Sequence, residues 1–215
     1  LNSVLHKIFK EVIIFDPQEK TYNLGRRKMN EEFLDTVKKE KPDYIFFWLM
    51  YPPEFDVETL GKIKKISPKT KVLNFFGDDD ILFEIYTKYL SFFIDYPLAS
   101  HMEHFWKYKQ NNIKNFFSTF GVNTDNFKPL EEEKIYDVSF IGTPIEDRAE
   151  MVKYLIDNGI KVRIFGGGWY NYEELIPYWS GKVTAEDMTK IINQSKINLN
   201  FSKTIGGKTG FKAKV

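Results

Sequence analysis

Three aspartates, Asp78–Asp80, stand in a row in "NFFGDDDILFE", directly after an apolar run. A D-x-D spacing can hold a divalent cation against a nucleotide diphosphate, which makes Asp78 and Asp80 candidate metal ligands. Carboxylates ahead of "ILFEIY" also suit the positive end of a helix. Capping together with a polar role facing a cleft is the reading preferred here, and no metal is assigned. A carboxylate so placed, Asp78 or Asp79, can take a proton from an acceptor hydroxyl. "SHMEHFWKY" sets His101 and His104 three apart on an expected helix, so they share a face, as a proton relay or metal pair requires. No H-E-x-x-H pattern accompanies them, and a surface or interdomain position is expected. His6 carries no signal.

A second set of residues suits anions. In "VSFIGTPIEDRAEMVKYLIDNGIKVRIFGGGW", Gly142 and Thr143 fall at the carboxyl end of an expected strand, and Arg148 in the first turn of the helix that follows. Open α/β sheets bind ligands at strand carboxyl ends, and a helix N-terminus offers free N–H groups to phosphate. The alternative is a plain crossover turn with an exposed arginine. The dinucleotide pattern G-x-G-x-x-G does not occur here. Gly166–Gly168 end the next strand at the same edge. Three glycines lose much backbone freedom on folding, so either the turn is sharp or something comes close to the backbone. The last stretch, "INLNFSKTIGGKTGFKAKV", places Lys203, Lys208, Lys212 and Lys214 around a glycine pair. These can neutralise a diphosphate or form a solvated basic tail.

The elements that must position these groups alternate along the chain. Strands are expected at Glu11–Phe15, Tyr44–Leu49, Lys71–Phe76, Phe92–Leu98, Asn115–Thr119, Asp137–Gly142, Lys161–Phe165 and Ile197–Phe201. Several are continuous apolar runs, as for parallel strands covered on both faces. Helices are expected at Asn30–Lys41, Val57–Ile66, Ile81–Tyr89, Ser100–Lys109, Asp147–Asn158 and Ala185–Gln194. Thr184 is the N-cap of the last, with Asp187 in the reach-back position. Alternating strands and helices make parallel, doubly wound sheets, an α/β fold. The polar "KPLEEEKIY" reads as a linker between a domain of residues 1–129 and one of 135–215. The chain opens on a helix running into a strand and stops after a strand, so both domains are expected to be truncated.

Composition narrows the classes. The 215 residues are 42% hydrophobic and 28% charged, with a formal net charge of +1, so no general attraction to nucleic acid is indicated. There is no cysteine, which removes disulfides, thiol nucleophiles and thiolate metal sites. No apolar run near 18 residues and no leader pattern is found, so a cytoplasmic location is expected, compatible with peripheral membrane association.

Taken in order, "FSTFGVNTDNFKPLEEEKIYDVSFIGTPIEDRAEMVKYLIDNGIKVRIFGGGW" and "GKVTAEDMTKIINQSKINLNFS" resemble the GT-B glycosyltransferases, and most closely the CgeB-like (spore maturation protein) branch of the group 1 transferases. "NFFGDDD" resembles the strand end where that branch carries cleft-facing aspartates. The resemblance implies two Rossmann-like domains facing each other across a cleft. It implies a nucleotide-diphosphate sugar as co-substrate, no cofactor, and a glycan or protein hydroxyl as acceptor. It further implies donor-binding roles for Gly142, Thr143, Arg148, Gly166, Gly167, Gly168, Trp169, Asn200, Ser202, Lys212 and Lys214, with Trp169 as a wall of the base pocket. The family's acidic donor-gripping motif would begin around Lys214. Besides a metal-dependent GT-A-type transferase, the rival is a non-catalytic nucleotide-sugar-binding or scaffold module.

Overall fold

The structure, a computed structural model, describes residues 2–49, 54–145 and 147–201. The chain divides into two units, 1–120 and 121–215.

The first unit opens with helices α1 (Asn2–Ile8), α2 (Pro17–Leu24) and α3 (Arg26–Glu40). Strands β1 (Tyr44–Phe47), β2 (Lys71–Phe76), β3 (Tyr96–Ala99) and β4 (Phe116–Phe117) then form one parallel sheet in the order β1-β2-β3-β4. Between them lie α4 (Val57–Ile66), α5 (Asp79–Leu82), a π-helical turn over Phe83–Thr87, α6 (Lys88–Ser91), a 3₁₀ turn over Met102–His104 and α7 (Phe105–Gln110). Met29, Phe33 and Val37 recur every four residues on α3, so one stripe of that helix is buried. It meets Leu60 and Ile63 of α4 and Val72 and Phe76 of β2 in a single core. Phe33 and Phe55 stand edge to face there, with ring centroids 4.6 Å apart.

Two expectations for this unit change. Glu11–Phe15 forms no strand: Ile13 and Ile14 are exposed, while Phe15 turns in against Phe33 and Phe55. An apolar run supplies burial, but a strand also needs a ladder, and none of its backbone groups is paired in one. The strand expected at Phe92–Leu98 begins only at Tyr96, and Phe92 is exposed. Helix α2 went unread although its start is conventional: the Asp16 side chain accepts from the backbone N–H of Gln18 and Glu19, with Pro17 at the first helical position.

The second unit holds β5 (Tyr136–Ile141), α8 (Arg148–Asp157), β6 (Val162–Phe165), α9 (Ala185–Gln194) and β7 (Ser195–Leu199), with 3₁₀ turns over Trp169–Asn171 and Glu173–Tyr178. Its sheet is parallel, in the order β6-β5-β7, so β5 is central. Val138 faces Val162 on one side and Ile197 on the other. A parallel bridge between Ile164 and Trp179 extends the sheet beyond β6. Thr184 and Asp187 form the expected capping box at the start of α9.

The segment expected as a linker is tied down. Asn193 of α9 accepts from Leu130 N–H at 2.9 Å and donates to Lys128 C=O at 3.0 Å, and Lys134 donates to the carbonyl of Ser195 at 3.0 Å. Residues 121–135 thus belong with the second unit, and the division falls at Phe120–Gly121, ahead of Pro129.

Candidate functional site

In each unit the residues singled out by the sequence gather at strand carboxyl ends. In the first unit, Gly77 leaves β2, Asp78 takes the backbone N-cap position of α5, and Asp79 and Asp80 form its first turn. Asp78 C=O accepts from the N–H of Ile81 and Leu82, while its side chain makes no capping bond. Asp79 goes inward and is 1% exposed. Its Oδ2 accepts from the Tyr108 hydroxyl at 2.6 Å, and its carbonyl accepts from Lys107 Nζ at 2.7 Å. Tyr108 is itself fully buried, edge-on to Phe83.

Burial pushes the Asp79 carboxyl up to about 6, against the opposing pull of the Tyr108 and Thr87 hydroxyls and the Lys107 ammonium. Burial likewise pushes the Tyr108 hydroxyl upward. The expectation of Asp79 as a base that meets an acceptor is therefore corrected in this structure. The side chain lies beneath the surface and is spent on holding Tyr108. Asp78 keeps partial exposure.

The histidines come from β3, next to β2 in the sheet. His101 is 8% exposed, and its Nδ1 shares a 2.7 Å hydrogen bond with Ser100 Oγ, which also lies 3.3 Å from Gly77 C=O. The His101 and His104 rings are 5.8 Å apart. Burial first, and the Lys107 charge second, hold His104 below the ordinary histidine range, so it is neutral at pH 7. Neither histidine is the surface residue expected; His101 lies in a buried turn and His104 is largely covered. Among the described residues no group of three or more His, Cys, Asp or Glu is arranged to hold a metal ion.

In the second unit the glycines turn out to serve one another. Gly166 has φ +117°, and a Cβ there would stand 2.3 Å from Gly142 O. What comes close to this backbone is the end of the neighbouring strand. Gly168, at φ +91°, faces Pro144 Cδ at 3.1 Å from its would-be Cβ. Trp169 is 0% exposed, donates its indole N–H to Gly142 O at 2.8 Å, and meets Phe140 edge-on. Its burial contributes on the order of 4–6 kcal/mol. Trp169 is thus a core anchor, which corrects its reading as a wall of a base pocket; the aromatic that faces solvent here is its neighbour Tyr170, 65% exposed.

Arg148 departs from expectation too. It is 6% exposed, and its guanidinium donates to the carbonyls of Thr143 and Phe201, each at 3.3 Å. It staples the β5–α8 loop to the end of β7. Thr143 and Asn200 are exposed at this edge, and Gly142 and Gly167 partly so. Ser202, Lys203, Lys208, Lys212 and Lys214 lie outside the described residues. Sequence reading missed Ser100, Lys107 and Tyr108, which carry no local motif. It also missed Lys182, whose stem crosses Gly167 with Cε 3.1 Å from a would-be Cβ; the signal available was "SGK" after an aromatic pair.

No protein-family model and no curated protein matches the sequence. Among solved structures the chain is similar to the Glycosylation Associate Protein (Gap123) complex from Streptococcus agalactiae. The match has a TM-score of 0.52 and 12% identity, and covers 88% of this chain and 45% of that one. The chain therefore spans less than half the length of that neighbour. A likeness at this identity concerns the fold: a mixed α/β chain with parallel sheets, sharing its architecture with a glycosylation-associated protein.

Proposed function

We propose that the chain belongs to a glycosyltransferase-like protein of the GT-B kind, in which two Rossmann-like domains face a common cleft, and within it to the CgeB-like branch. The observation that carries this is the fold likeness to a glycosylation-associated protein over 88% of the chain. In this reading the glycine-lined edge of the second unit takes the diphosphate of a nucleotide sugar. Gly142, Thr143, Gly166–Gly168 and Asn200 border it, Arg148 fixes the loop from below, and Ser202, Lys212 and Lys214 add contacts. The Asp78–Asp80 edge receives a glycan or protein hydroxyl, with Asp78 as the base and Asp79 as its support. Positioning and stabilisation of the leaving diphosphate then supply the rate, without a protein nucleophile or a bound metal.

A second reading is a non-catalytic nucleotide-sugar-binding or scaffold module. Two observations favour it: the neighbour's description is of a complex, and Asp79 is inaccessible. One assay separates the readings: thermal shift with UDP-, GDP-, ADP- and dTDP-sugars, with and without EDTA, paired with detection of released nucleoside diphosphate. Binding raises the melting temperature by mass action. A shift with release supports the transferase, and a shift without release from any acceptor pool supports the module. Release abolished by EDTA points to a metal on Asp78 and Asp80, and no shift with any donor overturns both readings.

A further inference from the structure

Three cationic side chains of the second unit lie beside its glycine turn, and two are already engaged. Arg148 donates to the Thr143 and Phe201 carbonyls. Arg163, on β6, donates to Ser180 Oγ at 2.6 Å and to Pro177 C=O at 3.3 Å. Lys182 has neither a hydrogen bond nor an ion pair among the described residues, and it is exposed.

The fold brings Lys182 there by a specific route. After the 3₁₀ turn ending at Tyr178, the chain runs beside β6: Trp179 bridges Ile164, Ser180 N–H donates to Ile164 C=O, and Gly166 N–H donates to Gly181 C=O at 2.8 Å. Trp179 also donates its indole N–H to Gly166 C=O at 2.8 Å. Residues 179–181 thus act as an added strand that carries Lys182 to the carboxyl edge of the sheet.

Gly167 completes the arrangement. Unlike Gly166 and Gly168 it does not have a positive φ, so its backbone does not require glycine. Within 4 Å its missing Cβ would meet only Lys182: Cε at 3.1 Å, Cγ at 3.8 Å and Cδ at 4.0 Å. The space left by the middle glycine is filled by the stem of this lysine. A lysine stem laid on apolar backbone leaves its ammonium directed to solvent as a fixed point charge.

We infer that Lys182 is the cation that binds the diphosphate of the ligand at this edge, with Gly167 as the bare seat that lets it lie flat. This rests on the nucleotide-sugar reading above and adds to it a residue on which that reading did not depend. The ligand class is an organic diphosphate. The ammonium meets its non-bridging oxygens, and the exposed face of the turn receives the rest. Gly167→Ala should disturb the site as well, because a methyl there displaces the stem.

The test is calorimetric titration of wild type, Lys182→Ala, Lys182→Arg and Gly167→Ala with UDP, GDP and ADP, with the matching nucleosides, and with inorganic pyrophosphate. Circular-dichroism melts check that each variant is folded. Lys182→Ala is expected to lose about tenfold in diphosphate affinity, the scale of a hydrogen bond to a charged group, while nucleoside affinity stays unchanged. Lys182→Arg should recover most of it, and raising salt should weaken wild type more than Lys182→Ala. Equal diphosphate affinity in wild type and Lys182→Ala overturns the role of Lys182 and leaves the nucleotide-sugar reading intact. Pyrophosphate binding that depends on Lys182, without nucleotide binding, keeps the role and overturns that reading. Wild type binding neither pyrophosphate nor any nucleotide overturns both.

Discussion

The two units end their parallel strands in opposite styles. The carboxyl edge of β2 and β3 is crowded with groups that can change charge: Asp78, Asp79, Asp80, His101, His104, Lys107 and Tyr108. The carboxyl edge of β5 and β6 is built from backbone, with Gly142 and Gly166 in direct approach and Trp169 sealing them from below. The first edge is therefore tuned by protons and the second by shape. A mutation of one side chain can alter the electrostatics of the first edge and leave its fold standing. On the second, a single methyl group is a structural event.

The sharpest way to break this contrast is Gly166→Ala. Its φ of +117° and the 2.3 Å approach to Gly142 O leave no room for relaxation, because the obstacle is backbone. A loss of about 3–5 kcal/mol in urea denaturation is expected, whereas Gly167→Ala, which meets only a lysine stem, should cost under about 1 kcal/mol. Similar losses for both would show that the turn yields as a whole.

Arg148→Ala comes next. Removing a buried guanidinium leaves two carbonyls without their donor, so a loss of about 2–4 kcal/mol is expected, read from the shift in the denaturation midpoint. The sequence alone suggested an exposed arginine whose loss would scarcely touch stability; a change below about 0.5 kcal/mol would restore that view.

The proton-tuned edge is probed with Asp79→Asn. Asp79 titrates near 6 when folded and near 3.8 as a free side chain. Between those values the folded protein holds a proton that the unfolded chain has released. Its contribution is complete below about pH 3.8, falls as pH rises through 6 and is then level, a change of up to about 3 kcal/mol. Other carboxylates are pulled the other way, such as Asp95 by Lys64 and the Val72 N–H, so the difference between wild type and variant is what isolates Asp79. Urea midpoints from pH 4 to 7 should show wild type gaining on the variant as pH falls. Parallel profiles would mean that Asp79 titrates like a surface carboxylate.

The smallest effect is local. Thr184→Ala removes the side chain that accepts from Asp187 N–H, and about 1 kcal/mol should be lost from the second unit.

Helix α9 was legible to the residue, because a capping box and an apolar period are both written locally. So was the parallel α/β plan, because β2 and β5 are continuous apolar runs. The glycines were legible as exceptional but not in their cause, since the partner of Gly166 lies twenty-four positions earlier in the chain, across a strand pair. Arg148 and Trp169 misled for a related reason. An arginine usually keeps water, and a tryptophan beside glycines suggests a ligand wall. What reversed both was a set of carbonyls from β5 and β7 that converge only after folding. Asp79 was found by its neighbours Asp78 and Asp80, yet Tyr108, which decides what it does, carries no motif.

The π-helical turn over Phe83–Thr87 has a genealogical consequence. Such a turn holds one residue more than an α-helix needs. Deleting any one residue between Phe83 and Thr87 would heal the helix and rotate everything after it by about 100°. Leu90, buried in the first core, and Ser91, whose hydroxyl donates to Thr87 C=O, would both leave their places. The length of this stretch is therefore tied to its contents. Homologues that retain Tyr108 and Leu90 should keep the extra residue, and an isolated one-residue gap there should coincide with rebuilding on both sides.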